Sequence, residues 1–376
     1  MNKKNSIDTI KLAEKAWLEG DLKKSSEILE SRFPNQKSLI FQKYLNTNNS
    51  EKGINSTPLY FNGHDVNSFL VKFDSSISIF DLGLPLSSRG AFFSREFTHL
   101  KYPERYIHLY SPESIKAIRS VMHSSYNIEN VYLTLVRKPY YHWLIDTLPH
   151  LLGLSLLKNY KTIKLIGAGI PKLRGWQKEI LQLATQMFKI DNLSWLNLNG
   201  NIVKSQPCFS QTRMPLKDRL MILRTLKLQK NNKKPWRYIY AKRAKTDIRK
   251  LYNEDKLISK LDSRFEIIEP EKLDLRSQIN LFSEAKCVVG VCGSNLSNIV
   301  FCENNTSVVE LSAGYDQKHF ENISNTIGLN FFRVKGEPFE AELKIKNKWK
   351  EAHSDFNINI EETINIINIC LFMVLI

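Results

Sequence analysis

Two residues that could move a proton stand four positions apart in the segment YYHWLIDTLPHLLGL, residues 140–154. If this segment is helical, His142 and Asp146 share one face. Either could then act as a general base that takes a proton from a hydroxyl group. Asp146 is the preferred base, and His142 is its orienting partner or the base itself. A helix with a hydrogen-bonded His and a solvated Asp fits the same spacing, and Pro149 either kinks this helix or starts a new one.

A second group of residues has the chemistry to hold phosphate. The stretch from Lys233 to Lys250 contains eight basic residues and the single acid Asp247. Within it, Arg243 and Arg249 follow a predicted strand, RYIYAKR. Two guanidinium groups beside a helix N-terminus can neutralise a diphosphate through bidentate hydrogen bonds, which is work that a metal ion otherwise does. A solvated basic face is the other interpretation of these side chains.

The segment GVCGSNLSN, residues 290–298, is the third group. Its glycines let the backbone approach a ligand closely, and the helix that it opens offers N–H groups and a dipole that favour phosphate. A turn without any ligand fits these residues too. The side chains expected to line a phosphate site are Ser294, Asn295 and Asn298, and Glu310 in the next strand is expected to bind ribose hydroxyls. The sequence has no Asp-x-Asp pair, which commonly holds a divalent cation on a diphosphate. We therefore expect no metal at this site.

The elements that must position these residues alternate between strands and helices in the second half of the chain. The predicted strands are RYIYAKR, FEIIEP, CVVGVCG, SVVELSA and NFFRVKG. Alternation of this kind predicts parallel βαβ units, in which ligands bind beyond the carboxyl ends of the strands. Shorter β-rich runs between about residues 58 and 225, with a helix-like stretch from Tyr140 to Tyr160, predict a further α/β domain.

The expected fold class is therefore α/β, with two Rossmann-like domains and a helical extension at the N-terminus. Residues 1–50 are the helical extension, which resembles one tetratricopeptide unit. Residues 58–228 are expected to form the first domain and residues 229–345 the second. Residues 346–376 are expected to form a helix that packs back on the protein.

Composition limits the possible functions. Of the 376 residues, 42% are hydrophobic, which is typical of a folded protein. The net charge of +16 favours an anionic partner, although biased codon usage explains much of it equally well. Five cysteines without a CxxC pair argue against a disulfide framework or a zinc site. The sequence shows no signal segment, and its apolar run from Ile369 to Ile376 is shorter than the about 20 residues that span a bilayer. We expect a cytoplasmic protein whose last helix docks on the protein or contacts a membrane peripherally.

Residues 130–312 resemble glycosyltransferase family 61 through three ordered motifs. HWLIDTLPHLL is similar to the family's His-Trp-x-x-Asp-x-Leu-Pro segment. YIYAKRAKTDIRKLYNEDKL is similar to the family's strand that ends in Arg and is followed by a second Arg and an Asn-Glu pair, here Arg243, Arg249, Asn253 and Glu254. The segment from Phe265 to Leu311 follows the family's long signature, with Gln278, Gly290, Gly293, Asn298 and Glu310 in place.

One part of the resemblance departs from the family, whose usual turn reads Gly-Pro-His-Gly-Ala-Gly-Leu-Thr-Asn. Here Val291 and Cys292 replace the Pro and the His, and Ser294 and Asn295 replace the Ala and the second Gly. If that His contacts the donor, its loss weakens or retunes donor binding, whereas phosphate binding by the backbone survives. The alternative interpretation is therefore a non-catalytic glycan-binding or scaffold protein with a decayed donor site.

The resemblance implies a GT-B fold, in which two Rossmann-like domains face a cleft, with inversion at the anomeric carbon and no obligate metal. Residues 58–228 would then present the acceptor, and residues 229–345 would hold the nucleotide. It implies a nucleotide-sugar co-substrate, which we expect to be UDP-linked, and no cofactor. The implied acceptor is a glycan or lipid-linked glycan of a bacterial capsule or lipopolysaccharide, extended in the cytoplasm with peripheral contact to the inner membrane. Arg243 and Arg249 would stabilise the departing diphosphate. Nucleic acid is not an expected partner, because the basic run leads into a strand instead of a face with interleaved aromatics.

Overall fold

The computed structural model describes residues 54–73, 77–80, 84–86, 126–134, 139–167, 172–196, 203–212, 214–227, 234–243, 248–314, 318–339 and 353–373. The helical extension expected over residues 1–50 lies outside these residues. Contacts divide the chain into two compact units. The first comprises Met1–Lys138, His150–Arg174 and Leu181–Pro215, and the second comprises Pro139–Pro149, Gly175–Ile180 and Leu216–Ile376. The expected mixed α/β class is confirmed, whereas the GT-B arrangement and the domain bounds stay predictions.

The first unit contains a six-stranded and a four-stranded sheet. The strands are β1 Ile54–Phe61, β2 His64–Phe73, β3 Ile77–Phe80, β4 Leu84–Leu86, β5 Tyr126–Ile128, β6 Val131–Thr134, β7 Ile163–Gly167, β8 Leu193–Leu196, β9 Val203–Ser205 and β10 Cys208–Gln211. The larger sheet has the order β1-β2-β10-β6-β7-β8, and its last four strands are parallel. The smaller sheet has the order β4-β3-β9-β5.

Local sequence explains how the larger sheet begins and what fills its core. Asn62 and Gly63 join β1 to β2, and both adopt positive φ angles of 49° and 81°. These are the two residue types that a tight hairpin turn favours, because they tolerate this conformation best. Strand β6 is buried along its whole length, as expected for a Val- and Leu-rich strand inside a parallel sheet.

The second unit is built on one six-stranded sheet with the order β12-β11-β13-β14-β15-β16. Its strands are β11 Arg237–Ala241, β12 Phe265–Ile268, β13 Ala285–Val291, β14 Ser307–Ala313, β15 Asn330–Pro338 and β16 Phe356–Asn357. The first five are parallel, and only β16 is antiparallel to its neighbour. All five strands predicted for this half of the sequence are confirmed.

The α-helices of the described residues are six. They are α1 Gly175–Phe188, α2 Leu216–Arg224, α3 Glu254–Lys260, α4 Leu275–Ser283, α5 His319–Ile327 and α6 Ile360–Met373. In addition, 3-10 helices span Pro149–Leu156, Pro270–Lys272 and Ser294–Phe301, and a π-helix spans His142–Thr147. None of the described helices combines the length and the apolar character needed to cross a bilayer.

Helix α6 packs into the core of the second unit. Its residues Ile367, Cys370 and Leu371 are buried in one cluster with the side chains of the sheet, among them Val289 and Leu311. Helix α3 adds Leu257 to the same cluster. Burial of this apolar surface is the main term that holds the last helix on the sheet, at roughly 25 cal/mol for each Å² of apolar area removed from water.

The order of the strands defines where a ligand can bind. From β11 the chain continues to β12 on one side and then crosses to β13 on the other side of β11. The connections that leave β11 and β13 therefore run in opposite directions. In an open parallel sheet the crevice outside the carboxyl ends of two such strands is the usual ligand site. Residues that follow Ala241 and Val291 border this crevice.

Candidate functional site

The segment that carries the first candidate residues is a short π-helix followed by a 3-10 helix. Trp143, Leu144 and Ile145 of the π-helix are buried, and the π-helix belongs to the second unit. The predicted domain bounds include it in the first domain, residues 58–228. Pro149 is the first residue of the 3-10 helix, so it starts a new helix and does not kink the old one. This outcome fits its missing N–H group.

His142, Asp146 and Arg219 form a polar cluster in the second unit. His142 Nδ1 lies 2.6 Å from Asp146 Oδ2. The other carboxylate oxygen accepts a hydrogen bond from Arg219, which lies on α2 and is only 5% exposed. If Nδ1 donates to Asp146, the neutral imidazole carries its lone pair on Nε2. The cluster thus has the form of a base that is oriented by a carboxylate, which is itself anchored by a buried guanidinium.

A chain of hydrogen bonds joins this segment to the 3-10 helix after β13. The Tyr140 hydroxyl donates to Asn298 Oδ1 at 2.9 Å, and Asn298 Nδ2 donates to Gln278 Oε1 at 2.8 Å. Gln278 Nε2 in turn donates to the carbonyl oxygen of Leu273 at 3.0 Å. Asn298 is completely buried and Gln278 nearly so. These two amides therefore hold parts of the site in place, and their side chains are not presented at its surface.

Aromatic rings pack against His142 and the residues next to it in the sequence. The Tyr141 ring centroid lies 5.2 Å from that of His142 and 5.2 Å from that of His319, the first residue of α5. Trp176 packs edge-on against Tyr140 at 5.5 Å and against Trp143 at 6.0 Å. Burial and the neighbouring carboxylate of Glu179 raise the pKa of Tyr140 well above its usual range, so its hydroxyl stays a hydrogen-bond donor. The imidazole of His142 is thus held by packing as well as by Asp146.

Arg243 lies across the backbone of the glycine that follows Cys292. A Cβ atom added to Gly293 would come within 3.0 Å of Arg243 Nε, so a larger residue there would push the guanidinium away. Arg243 Nη1 also donates to the carbonyl oxygens of Ile248 and Arg249 at 3.2 and 3.4 Å. Burial and the positive charge of Arg249 lower the pKa of Arg243 to about 10. Both arginines expected to bind phosphate therefore lie together.

Arg249 is held in an uncommon backbone conformation. Its φ angle is 57°, and its N–H group donates to the carbonyl oxygen of His353 at 3.2 Å. Its buried Nε atom has no hydrogen-bond partner among the described residues. Positive φ in a residue other than glycine costs free energy and persists only where the surroundings impose it. An anion bound here would supply the missing partner and relieve the repulsion between the two guanidinium groups.

Glu310 and Cys292 lie inside the protein behind this pair. Glu310 is 1% exposed, and its Oε2 accepts a hydrogen bond from Arg333 Nε at 2.8 Å. Cys292 is 5% exposed, and burial, with the charge of Glu310, raises the pKa of its thiol to about 12. Arg249 opposes that shift, which places its charge close to the thiol. The position where the family has His therefore points into the interior, and Glu310 is occupied by an ion pair.

The turn after β13 places Ser294 and Asn295 beside the crevice. Gly290 is needed for close packing, because an added Cβ would meet the Ala241 carbonyl oxygen and Leu296 at 3.1 Å. Ser294 is half-buried and begins the 3-10 helix, whose first N–H groups point out of the helix. Asn295 Nδ2 donates to Glu271 Oε2 at 2.6 Å and to the Lys242 carbonyl oxygen at 3.4 Å.

The Asn-Glu pair at the start of α3 has two different roles. Asn253 binds the C-terminal segment, because its side chain donates to the Ile358 carbonyl oxygen at 2.7 Å and accepts from the Ile358 N–H at 3.3 Å. Glu254 Oε1 accepts a hydrogen bond from the Tyr240 hydroxyl at 2.9 Å. Burial raises the pKa of Glu254 above its ordinary value, and Lys242 and Arg243 partly oppose that shift. Only Glu254 of this pair has an electrostatic effect on Arg243.

Sequence reasoning did not identify Tyr140, Arg219, Glu271 or Arg333. Arg219 falls in the ordinary amphipathic helix LKDRLMILR, where nothing distinguishes a buried Arg from a solvated one. Tyr140 is the first residue of the segment YYHWLIDTLPHLLGL, and its aromatic ring was the only available signal. Glu271 directly follows the predicted strand FEIIEP, and this position was the signal that could have identified it. Lys245, of the basic stretch, lies outside the described residues.

The arrangement offers two kinds of chemistry within one unit. One group orients a proton acceptor, and the other concentrates positive charge and helix N–H groups at the switch point of a parallel sheet. Within the described residues no three His, Cys, Asp or Glu side chains are grouped so that they could hold a metal ion. Proton abstraction together with stabilisation of an anion is the chemistry of group transfer from a phosphate ester to a hydroxyl.

Comparison with known proteins gives this site a family. Residues 140–309 match the family model described as Glycosyltransferase 61. No curated protein matched the chain. The matched range begins at Tyr140, includes the His142 and Asp146 cluster and both arginines, and ends one residue before Glu310. The resemblance that the three sequence motifs indicated is thereby confirmed over residues 140–309, the part of the chain that matches glycosyltransferase family 61.

Proposed function

We propose that this chain is an inverting, metal-independent glycosyltransferase that moves a sugar from a nucleotide-sugar to a hydroxyl group of a glycan. The observation that carries the proposal is the pairing of Arg243 and Arg249 at the switch point of the second unit's sheet. The two guanidinium groups repel each other, and one of them has an unpartnered buried Nε atom. A bound diphosphate would offset the repulsion between the guanidinium groups and would supply an acceptor for the Nε atom.

Stabilisation of the leaving group is the role we assign to the two arginines. As the bond between the anomeric carbon and the phosphate oxygen breaks, negative charge develops on the nucleoside diphosphate. Arginine forks match phosphate oxygens in pairs, and the N–H groups at the start of the helix Ser294–Phe301 add fixed dipoles. The absence of an Asp-x-Asp pair from the sequence supports a site that works without a divalent cation.

Activation of the acceptor is the role we assign to His142. Both carboxylate oxygens of Asp146 are engaged, one by Arg219 and one by His142 Nδ1. Nε2 of His142 is then the atom that takes the proton from the acceptor hydroxyl, and Asp146 stabilises the imidazolium that forms. Of the two alternatives that the sequence left open, this arrangement supports His142 as the base and Asp146 as its orienting partner.

The proposed reaction is a single displacement. His142 removes the hydroxyl proton, and the acceptor oxygen attacks the anomeric carbon from the face opposite the diphosphate. The new carbon–oxygen bond forms as the bond between the anomeric carbon and the phosphate oxygen breaks. The electron pair of the broken bond leaves with the nucleoside diphosphate. Configuration at the anomeric carbon is therefore inverted. Each catalytic group contributes by being preorganised before the substrate arrives.

The donor and acceptor classes extend the proposal. We propose a UDP-linked sugar as the donor and a glycan or lipid-linked glycan of a bacterial capsule or lipopolysaccharide as the acceptor. The net charge of +16 supports an anionic acceptor or an anionic membrane nearby. Ile369 and Phe372 on α6 are exposed, which supports peripheral contact of a cytoplasmic protein with the inner membrane.

The test is a panel of nucleotide-sugars presented to the purified protein, with and without a chelator. We expect one donor to be hydrolysed slowly or transferred, to raise the midpoint of thermal unfolding, and to keep both effects in the presence of EDTA. Loss of activity in EDTA, restored by a divalent cation, would contradict the metal-independent step. Binding of a glycan without binding of any nucleotide would instead support the alternative of a non-catalytic member with a decayed donor site.

A further inference from the structure

Glu271 lies at the carboxyl end of β12, beside the candidate phosphate site. It is the middle residue of the short 3-10 helix Pro270–Lys272 and is exposed. Strand β12 neighbours β11, so this turn forms the wall of the crevice on the side opposite the turn after β13. A side chain here can reach a ligand whose phosphates lie at the carboxyl ends of β11 and β13.

The carboxylate of Glu271 is held in position by Asn295. Asn295 Nδ2 donates to Glu271 Oε2 at 2.6 Å and also reaches the carbonyl oxygen of Lys242 at 3.4 Å. Asn295 stands where the family's usual turn has Gly, and a glycine has no side chain with which to hold a carboxylate. Asn295, the second residue of the 3-10 helix Ser294–Phe301, thus fixes the direction of the Glu271 carboxylate.

Charge decides what Glu271 can bind. Its carboxylate lies near enough to Arg243 to raise the pKa of that group against the effect of burial. A carboxylate repels phosphate, and a ligand group next to it must be neutral and able to donate hydrogen bonds. Two adjacent hydroxyl groups suit a carboxylate, because its two oxygens accept about four hydrogen bonds in total. Glu310 is less suited to this role, since it is buried and paired with Arg333.

We propose that Glu271, oriented by Asn295, binds the 2′- and 3′-hydroxyl groups of the ribose in the donor nucleotide. The inference rests on the function proposed above, because it requires a nucleoside diphosphate at the pair of arginines. It assigns the nucleoside end of the donor to the β12 side of the crevice. It also gives the substitution of Asn for the family's Gly at position 295 a function of its own.

The test combines a change in the protein with a change in the ligand. Dissociation constants are measured by calorimetry for the tightest-binding nucleoside diphosphate among UDP, GDP, ADP and CDP, and for its 2′,3′-dideoxy form. The unaltered protein should bind the dideoxy form about 10- to 100-fold more weakly, which is the usual contribution of hydrogen bonds to a charged group. Glu271→Ala should bind both ligands equally, at the level of the dideoxy form. The inference is overturned if Glu271→Ala prefers the nucleoside diphosphate over its dideoxy form as strongly as the unaltered protein does.

Two further variants make the result specific. Glu269→Ala removes a neighbouring acid that is paired with Lys272 at 2.9 Å, and it should discriminate between the ligands as the unaltered protein does. Asn295→Gly restores the family's residue and should lose part of the discrimination, because Glu271 is no longer held. If Asn295→Gly discriminates between the two ligands as strongly as Glu269→Ala does, Asn295 does not orient Glu271.

The same experiment separates this inference from the proposed function. If none of the four nucleoside diphosphates binds the unaltered protein, the proposed function fails and the inference fails with it. If a nucleoside diphosphate binds and Glu271→Ala changes only the affinity of the complete nucleotide-sugar, the carboxylate contacts the transferred sugar. The proposed function would then stand, and the assignment to ribose would be overturned.

Discussion

Arg219 and Asp146 form an ion pair directly behind His142. The guanidinium is almost completely buried, and the carboxylate keeps only 18% of its side-chain exposure. Because one oxygen of Asp146 is fixed by Arg219, the other oxygen can hold His142 Nδ1 in one direction. Removing a partner of a buried ion pair usually destabilises a protein, since the remaining charge is left uncompensated. The pair therefore supports both the fold around the π-helix and the tautomer of the imidazole.

Asp146→Asn is expected to lower kcat by about 10²- to 10⁴-fold, the usual contribution of a positioned base. The amide cannot satisfy Arg219 and orient His142 with the same geometry, and it does not stabilise an imidazolium. His142→Ala should cause a similar loss, and the double variant should lose little more, because the two residues act as one unit. Initial rates of sugar transfer measure the effect, and calorimetry checks that nucleotide affinity is retained. The exposed Asp191→Asn is the matched control, and transfer at a normal rate in Asp146→Asn would refute the assignment.

Arg243→Ala and Arg249→Ala are each expected to weaken nucleoside diphosphate binding by about 10- to 100-fold, the range for charge-assisted hydrogen bonds. Substitution by Lys should recover part of the loss, because charge is kept while the bidentate fork is lost. Isothermal titration in dilute salt measures the affinity. Arg264→Ala serves as the control, because that exposed Arg pairs with Asp262 at 2.8 Å near the amino end of β12. Equal affinity in all three Ala variants would show that phosphate binds elsewhere.

Cys292→Ala is expected to leave nucleotide affinity within about twofold of the original, because a buried thiol contributes packing and not ligand contact. Cys292→His restores the family's residue at a buried position, and it should cost about 1–3 kcal/mol of stability because the larger ring overfills the space. Urea unfolding and nucleotide titration check the two expectations. A gain in affinity for Cys292→His, without loss of stability, would show that this side chain reaches the donor.

The fold of the second unit could be predicted from sequence because its strands carry a strong local signal. Val288, Val289, Val308 and Val309 lie in runs of branched residues, which suit a strand buried on both faces. Turns between them contain Gly and Asn, and the lengths of the intervening segments allow only short helices. Local sequence therefore defined the element order, and the topology rule for parallel sheets then located the crevice.

Long-range partners could not be predicted in the same way. The ion pair between Arg333 and Glu310 joins residues of neighbouring strands that are 23 positions apart in the sequence. Arg219 and Asp146 are 73 positions apart. Neither Arg differs in its local sequence from the many solvated ones in a chain of this charge. Motif spacing identified which residues carry chemistry, but the structure was needed to show which carboxylates are already paired and which face the crevice.

Glu254→Gln tests how the edge of the crevice responds to pH. Burial raises the folded-state pKa of Glu254 above its ordinary value of 4.5, so ionisation at pH 7 destabilises the folded state. This penalty disappears as the pH falls through the folded-state pKa to below 4.5, where the carboxyl group is protonated in both states. Gln carries no charge, and its side-chain oxygen can still accept the hydrogen bond from Tyr240. The variant should therefore unfold at a higher temperature than the original at pH 7, and the difference should shrink as the pH approaches 4.5. Calorimetric scans at pH 7, 6 and 5 measure it, and Glu337→Gln at an exposed position of β15 gives the background change. A difference that grows towards acid pH would show that the sign of the shift is wrong.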